Sequence, residues 1–427
     1  MSGCRDCSQG RLDDRRWARR VTTFGIRPRV PITVLAAAFL FNLGQGVLRP
    51  SMPLYLQRVF AANYRMVTLI PVVFGLGKWV ASLPTGYLLN RRGRPLMISG
   101  LLLIALIDVA SVMASNYAAF LGLRALGGVG WAMFATVATT AMVNPPAAQR
   151  RGRAVSLLLM SETSGLLVGS AAGGWLYQDA GVTSPFFFEA VCMGIAAVAV
   201  GSWAALPTDK ATAPHASQKR HALGEVLRTR GVLVMGVTNA VLIAIQTGTL
   251  VFLFPLYLFK RAGLGPEAVG LLVSLGVFGR LVALWLGGSL SDRWGRIRVL
   301  TPGLLAYAVL LGSMSLLTYP LLLGVWSFAI GAAAGVVAPV PTALMSDLVP
   351  RSRQGVAIGW LRTMTDGGQI VGPLVMGFLA DAIDLSAPFL FGAALLATTA
   401  WQCHRQAATM SVAVEKTAVT ASDGQGE

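Results

Sequence analysis

The chain has 427 residues, of which 55% are hydrophobic and 12% charged, about half the charged share of an ordinary soluble domain. A water-soluble fold could not cover that much apolar surface. The net charge of +17 does not indicate nucleic acid, because the basic residues are sorted by side of a membrane rather than gathered on one recognition element.

The first 30 residues carry eight Arg, too polar a stretch for a secretory signal, and predict a flexible cytoplasmic tail (1–30). Cys4 and Cys7 form a CxxC there without a second Cys pair or a nearby His, so reduced thiols are a simpler reading than a metal site. Cys192 and Cys403 fall in separate distant spans. Runs of about 20 apolar residues then predict spans over 31–56, 66–89, 96–114, 118–143, 154–177, 185–206, 231–258, 267–290, 299–319, 321–345, 355–380 and 386–404. They predict an all-α integral membrane protein of two six-helix bundles, 31–206 and 231–404. A polar linker, 207–230, separates the bundles, and a polar tail of low complexity, 405–427, follows. With the amino terminus inside, the outer loops hold only Arg58, Arg65, Lys260 and Arg261 of the 35 Lys and Arg. The positive-inside rule then places both termini in the cytoplasm, and the basic excess favours contact with anionic lipids. There is no P-loop, zinc-ligand cluster or nucleophile elbow, so no enzyme, metal or cofactor is expected.

The two halves repeat. GYLLNRRGR at 86–94 returns as GSLSDRWGR at 288–296, and PLYL at 53–56 returns at 255–258, at an offset of 202 residues. Gly152, Gly165, Gly169, Gly174, Pro185 and Phe186 map onto Gly355, Gly368, Gly372, Gly377, Pro388 and Phe389 at an offset of 203. Parallel halves joined by a linker are the architecture of a two-bundle secondary transporter.

These loops resemble the signature of the major facilitator superfamily, G-x-x-x-D-R-x-G-R, which lies between the second and third spans and again between the eighth and ninth. The copy at Gly288, Asp292, Arg293, Gly295 and Arg296 is complete. The copy at Gly86, Asn90, Arg91, Gly93 and Arg94 has an amide at the acidic position, which hydrogen-bonds but supplies no charge; a weaker lock on the outward-facing state is expected there. In the fourth span, Arg124 stands four residues before Gly128, similar to the R-x-x-x-G motif of proton-coupled members. A charge within a span costs roughly 2.5 to 3.5 kcal/mol on insertion scales, so Arg124 is expected to be paired or to line water, either in proton coupling or as a clamp between helices. Gly165, Gly169, Gly173 and Gly174 resemble the antiporter motif of the fifth span, with Ser170 where that motif has proline. Gly368, Gly372 and Pro373 form the related segment. Small residues at this spacing also serve ordinary close packing.

Five bases (Arg49, Lys78, Arg124, Arg280, Arg362) and three acids (Asp108, Glu162, Asp366) are assigned to the spans. In the superfamily fold, span two packs on span eleven and span five on span eight. Lys78 and Asp366 both fall roughly 16 to 18 Å above the cytoplasmic ends, near the midplane. Two pseudo-symmetric ion pairs across the seam are expected, Lys78 with Asp366 and Glu162 with Arg280. They break as the halves rock and so free a carboxylate to take a proton. The alternative is a set of static bridges, with Arg362 and Asp366 paired along one helix. The first span lacks the acid common in the family's drug exporters, so protonation falls to Glu162, Asp108 or Asp366.

The resemblance implies a cavity lined by spans one, four, seven and ten. Candidates are Asn42, Gln45, Arg49, Trp131, Phe134, Thr136, Asn239, Gln246, Phe252 and Tyr257, an aromatic wall with amides that suits an amphipathic organic molecule. Any of these aromatic rings could instead be bundle core. The expectation is a monomeric secondary transporter in a bacterial cytoplasmic membrane, powered by the proton gradient, exporting small organic or drug-like molecules by alternating access. An uptake symporter or facilitator and a non-transporting receptor are the alternatives.

Overall fold

A computed structural model describes residues 32–143, 151–202, 230–317, 319–349 and 354–407. The expected N-terminal tail with Cys4 and Cys7, nearly all of the linker, and most of the C-terminal tail lie outside the described residues. No strand occurs among the described residues. A lipid interior offers no water to backbone amides, and a helix satisfies them within its own segment.

The first half consists of α1 (Ile32–Phe60), α2 (Tyr64–Val112), α3 (Tyr117–Val143), α4 (Arg151–Asp179) and α5 (Ser184–Gly201). The second begins with α6 (Arg230–Ala244), a π-helical stretch (Ile245–Leu253) and α7 (Phe254–Lys260), which together make one span. It continues through α8 (Pro266–Trp294) and α9 (Arg296–Ser313). The next span is α10 (Pro320–Val337) with α11 (Val340–Asp347), and α12 (Gln354–Ala382) and α13 (Ala387–Arg405) end the half. Among the described residues, nine segments are long and apolar enough to cross a membrane. The more polar α4, α12 and α13 are helices of 29, 29 and 19 residues, consistent with twelve spans.

Helix α2 contains two of those segments, Tyr64–Ser82 and Gly93–Val112. Gly77 lies against Ala125 of α3, and Gly100 lies against Gly130 of the same helix. In a straight helix residues 77 and 100 would be about 35 Å apart, whereas 125 and 130 are only about 7 Å apart. Helix α2 therefore folds back on itself around the first signature loop, and its two spans run antiparallel. At the second signature loop the chain instead breaks between α8 and α9 at Gly295, whose φ of +94° suits a residue without a Cβ.

Within each half, backbones meet through the small residues. A Cβ at Gly165, Gly169 or Gly173 of α4 would lie 2.2–2.3 Å from the carbonyl oxygens of Phe39, Leu43 and Val47 on α1. The second half repeats the arrangement, with Gly368 and Gly372 of α12 against Ala240 and Ala244 of α6. Between the halves, α2 packs on α12 and α4 on α8, the two pairings expected of the superfamily.

Candidate functional site

The seam holds the first expected ion pair. Lys78 Nζ on α2 lies 3.1 Å from Asp366 Oδ1 and 3.0 Å from Gln369 Oε1, both on α12. The ammonium also sits 4.6 Å from the centre of the Trp131 ring on α3, where the ring face attracts a cation. At the 60–64 end of the seam, Asp381 accepts hydrogen bonds from the backbone N–H groups of Tyr64 and Arg65, each at 2.9 Å. It supplies there the acceptors that the first turn of α2 lacks. Polar contacts thus join the halves at that end of the seam and again at Lys78. Arg362 is exposed on α12 and forms no ion pair with Asp366, which is engaged by Lys78 across the seam.

A cavity of about 310 Å³ lies between the halves. Its polar lining is Asn42 and Arg49 from α1, Glu162 and Thr163 from α4, Gln246 from the π-helical stretch, Arg280 from α8 and Ser327 from α10. Leu166, Leu250, Phe254, Val273 and Ile330 supply much of the apolar wall. The π-helical stretch ends with the N–H of Phe254 bonded to the carbonyl of Thr249, five residues back. A π-helical turn is wider than an α-turn and is common at functional sites, and here it carries Gln246 and Leu250 to the cavity.

The second expected ion pair is not formed. Glu162 and Arg280 both line the cavity, but no contact within 4.0 Å joins them. The open volume separates α4 from α8 at this depth, so the two groups face it instead of each other.

Five of the expected cavity residues are engaged elsewhere. Gln45 donates to Glu189, and Asn239 donates to Thr365 at 2.6 Å. Phe134 is buried and stacks on Phe41 at 4.2 Å between ring centres. Tyr257 is buried, with its hydroxyl donating to the Met314 carbonyl, and Phe252 packs against the core of the second half. Aromatic spacing along a helix does not separate a core ring from a cavity ring, and packing decides these positions.

A second group of charges is enclosed within the first half. Arg124 on α3 bonds Asp108 Oδ1 on α2 at 2.8 Å and the Ser111 hydroxyl at 2.7 Å. Its guanidinium lies 5.5 and 5.7 Å from the ring centres of Phe120 and Phe186. Glu189 on α5 joins this group, with its carboxyl against that of Asp108 and bonded by Gln45. Asp108 and Glu189 are 0% exposed and Arg124 is 6% exposed. The sequence assignment of embedded charges omits Glu189, although the sixth expected span covers it. Its signal is the run FFFEAV, where a lone acid interrupts an apolar stretch.

The antiporter-like glycines lie at the α1–α4 contact, apart from Gly174. That residue crosses the seam to meet Pro266 and Glu267 at the start of α8. Ser170, at the position of the missing proline, is buried and donates to the Leu166 carbonyl at 2.8 Å. Pro373 lies within α12, and its Cα lies near Gly248 of the π-helical stretch. In the second signature loop Arg296 bonds Asp347 at the end of α11, tying α9 to the tenth span, and Arg293 is exposed. The side chains of Asn90, Arg91 and Asp292 lie outside the described set.

Two pseudo-symmetric bundles thus meet at a polar seam with a cavity between them, and the family comparison agrees with that geometry. The Major Facilitator Superfamily model matches residues 34–266 and 237–409. The chain belongs to the Major Facilitator Superfamily. Among curated relatives, the multidrug resistance protein MdtG of Escherichia coli O17:K52:H18 is 26% identical over 390 residues, covering 88% of this chain and 94% of its own length. Among solved structures, a mutant form of the nucleoside transporter NupG superposes with a TM-score of 0.76 at 12% identity, over 88% of this chain and 99% of that one. The D-xylose-proton symporter superposes with a TM-score of 0.68 at 18% identity, over 88% and 96%. This superfamily member is therefore an integral multi-pass membrane protein and a secondary transporter of small molecules, not an enzyme.

Proposed function

We propose that the protein uses the proton gradient to export small amphipathic, drug-like molecules across a bacterial cytoplasmic membrane, with both termini in the cytoplasm. The observation that carries the reading is the cavity at the seam. It is mostly apolar, has a few converging polar groups, and is built by both halves, so a bound molecule touches both bodies that rock in alternating access. The multidrug resistance name of the MdtG relatives supports the substrate class and direction. In this topology the 60–64 end is extracellular, and Asp381 holds the two halves together there.

Arg49 and Arg280 come from opposite halves, and neither has an acidic partner within 4.0 Å among the described residues. Two guanidinium groups on one low-dielectric cavity favour a substrate bearing an acidic or acceptor-rich group over a purely cationic one.

The test is uptake of labelled neutral, acidic and cationic dyes into inverted vesicles, with and without an imposed pH gradient. Gradient-dependent accumulation, with acidic dyes losing most in Arg280→Gln, is the expected result. Accumulation only in right-side-out vesicles would replace export with uptake.

A further inference from the structure

We propose that Asp108 and Glu189 together hold one exchangeable proton, shared between their carboxyl groups and balanced by Arg124, as the coupling site of the transporter. The inference deepens the proton-coupled reading above and rests on it for its role in transport.

The charge count comes first. Two carboxyls and one guanidinium are enclosed by α2, α3 and α5, with exposures of 0%, 0% and 6%. If both acids were ionised, the group would carry a net negative charge away from water, beside a like charge at contact distance. Such a pair does not ionise fully, and it titrates as a unit. The other titratable side chains that sense the group are Tyr55 on α1, which faces Arg124, and Cys192 on α5, which faces Glu189. Both are neutral in their ordinary forms and cannot balance a second carboxylate.

The donor count agrees. Arg124 and Gln45 satisfy Asp108 Oδ1 and Glu189 Oε1, whereas Asp108 Oδ2 and Glu189 Oε2 are buried with no hydrogen-bond partner. A proton on either carboxyl turns an acceptor into a donor and satisfies both orphan oxygens with one bond. Arg124 Nε is also buried without a partner. When the proton leaves to water, that spare N–H is available to the second carboxylate, so the deprotonated form has a second arrangement to adopt.

The site is linked to the cavity through α1. Asn42 and Arg49 of α1 line the cavity, and Gln45, between them in sequence, holds Glu189. A methyl group on Gly44 would lie 2.9 Å from Glu189 Cγ, so α5 approaches α1 with no side chain between them. Movement of α1 on substrate arrival alters the Gln45–Glu189 bond and gives the sealed proton a route to water.

The experiment is infrared titration of the carboxyl C=O stretch in the purified full chain, from acidic to alkaline pH, for wild type, Glu189→Gln and Asp108→Asn. Sharing predicts that, in a Glu162→Gln background at neutral pH, wild type at these two positions has a protonated-carboxyl component that titrates on alkalinisation and is missing from both variants, because either acid left alone with Arg124 ionises. Matching size-exclusion profiles establish that the variants fold. A band that never titrates makes the pair a static hydrogen bond and overturns the proposal, as does a band unchanged in either variant. The spectrum needs neither substrate nor gradient, so failure of vesicle transport and failure of the proton site are read separately.

Discussion

Ala61 and Gly263 follow the first span of each half in the same backbone conformation, with φ of +48° and +65°. The N–H of the following residue reaches back to Leu56 in one half, at 3.2 Å, and to Leu258 in the other, at 3.1 Å. This closure is one residue wider than the Schellman arrangement, and glycine is favoured in it because a left-handed residue with a Cβ is strained. The duplication is therefore visible in single dihedral angles, and only one copy has the residue best suited to its position.

Ala61→Gly is expected to stabilise the protein by up to about 1 kcal/mol and Gly263→Ala to destabilise it by about 1 to 2 kcal/mol. Thermal melts of the purified protein in one detergent check both. A lower melting temperature for Ala61→Gly would show that loss of unfolded-state restriction outweighs the relieved strain.

The pair of Lys78 and Asp366 has side-chain exposures of only 11% and 16%. Removing one partner leaves an uncompensated charge at the seam, and a buried pair broken in this way costs about 3 to 5 kcal/mol. Lys78→Asp and Asp366→Lys should each abolish vesicle transport, and the double exchange should recover part of it. Complete loss in the exchanged protein would mean that one of these groups does more than pair with the other.

The glycine contacts predict a sharp position dependence. Gly169→Ala places a methyl group 2.2 Å from the Leu43 carbonyl oxygen, and α1 must move away from α4, an overpacking cost of about 1 to 3 kcal/mol. Gly359→Ala on α12 meets nothing within 4 Å and should be neutral or stabilising by up to about 1 kcal/mol. Equal effects on melting temperature would count against the close α1–α4 contact.

Asp384, in the loop before α13, supplies the pH-dependent case. Its slight burial opposes ionisation, but the backbone N–H groups of Ala387 and Ser386 and the Arg261 guanidinium outweigh that and hold its pKa below the usual aspartate range. A depressed folded-state pKa stabilises above the unfolded value, and the contribution is lost as pH falls through the folded value. The melting-temperature gap between wild type and Asp384→Asn should therefore be full at neutral pH and close on acidification. A gap independent of pH would assign the effect to loop packing.

Membrane class, the two halves and the seam pairings are legible in the order of residues. Apolar run length follows from bilayer thickness, and a duplicated chain repeats its contacts. The Lys78–Asp366 pair is legible for the same reason, since both residues lie at one depth on helices that the superfamily fold brings together. Which side of each helix meets the cavity emerges only on packing. Gln45 turns from the cavity to Glu189 while Asn42 and Arg49 line it, because close packing of α1 against α4 and α5 sets its rotation. The same packing encloses Asp108, Arg124 and Glu189, residues from three helices with no repeat partner among the embedded charges. Their chemistry comes from juxtaposition, and residues 81 positions apart carry no local pattern that announces it.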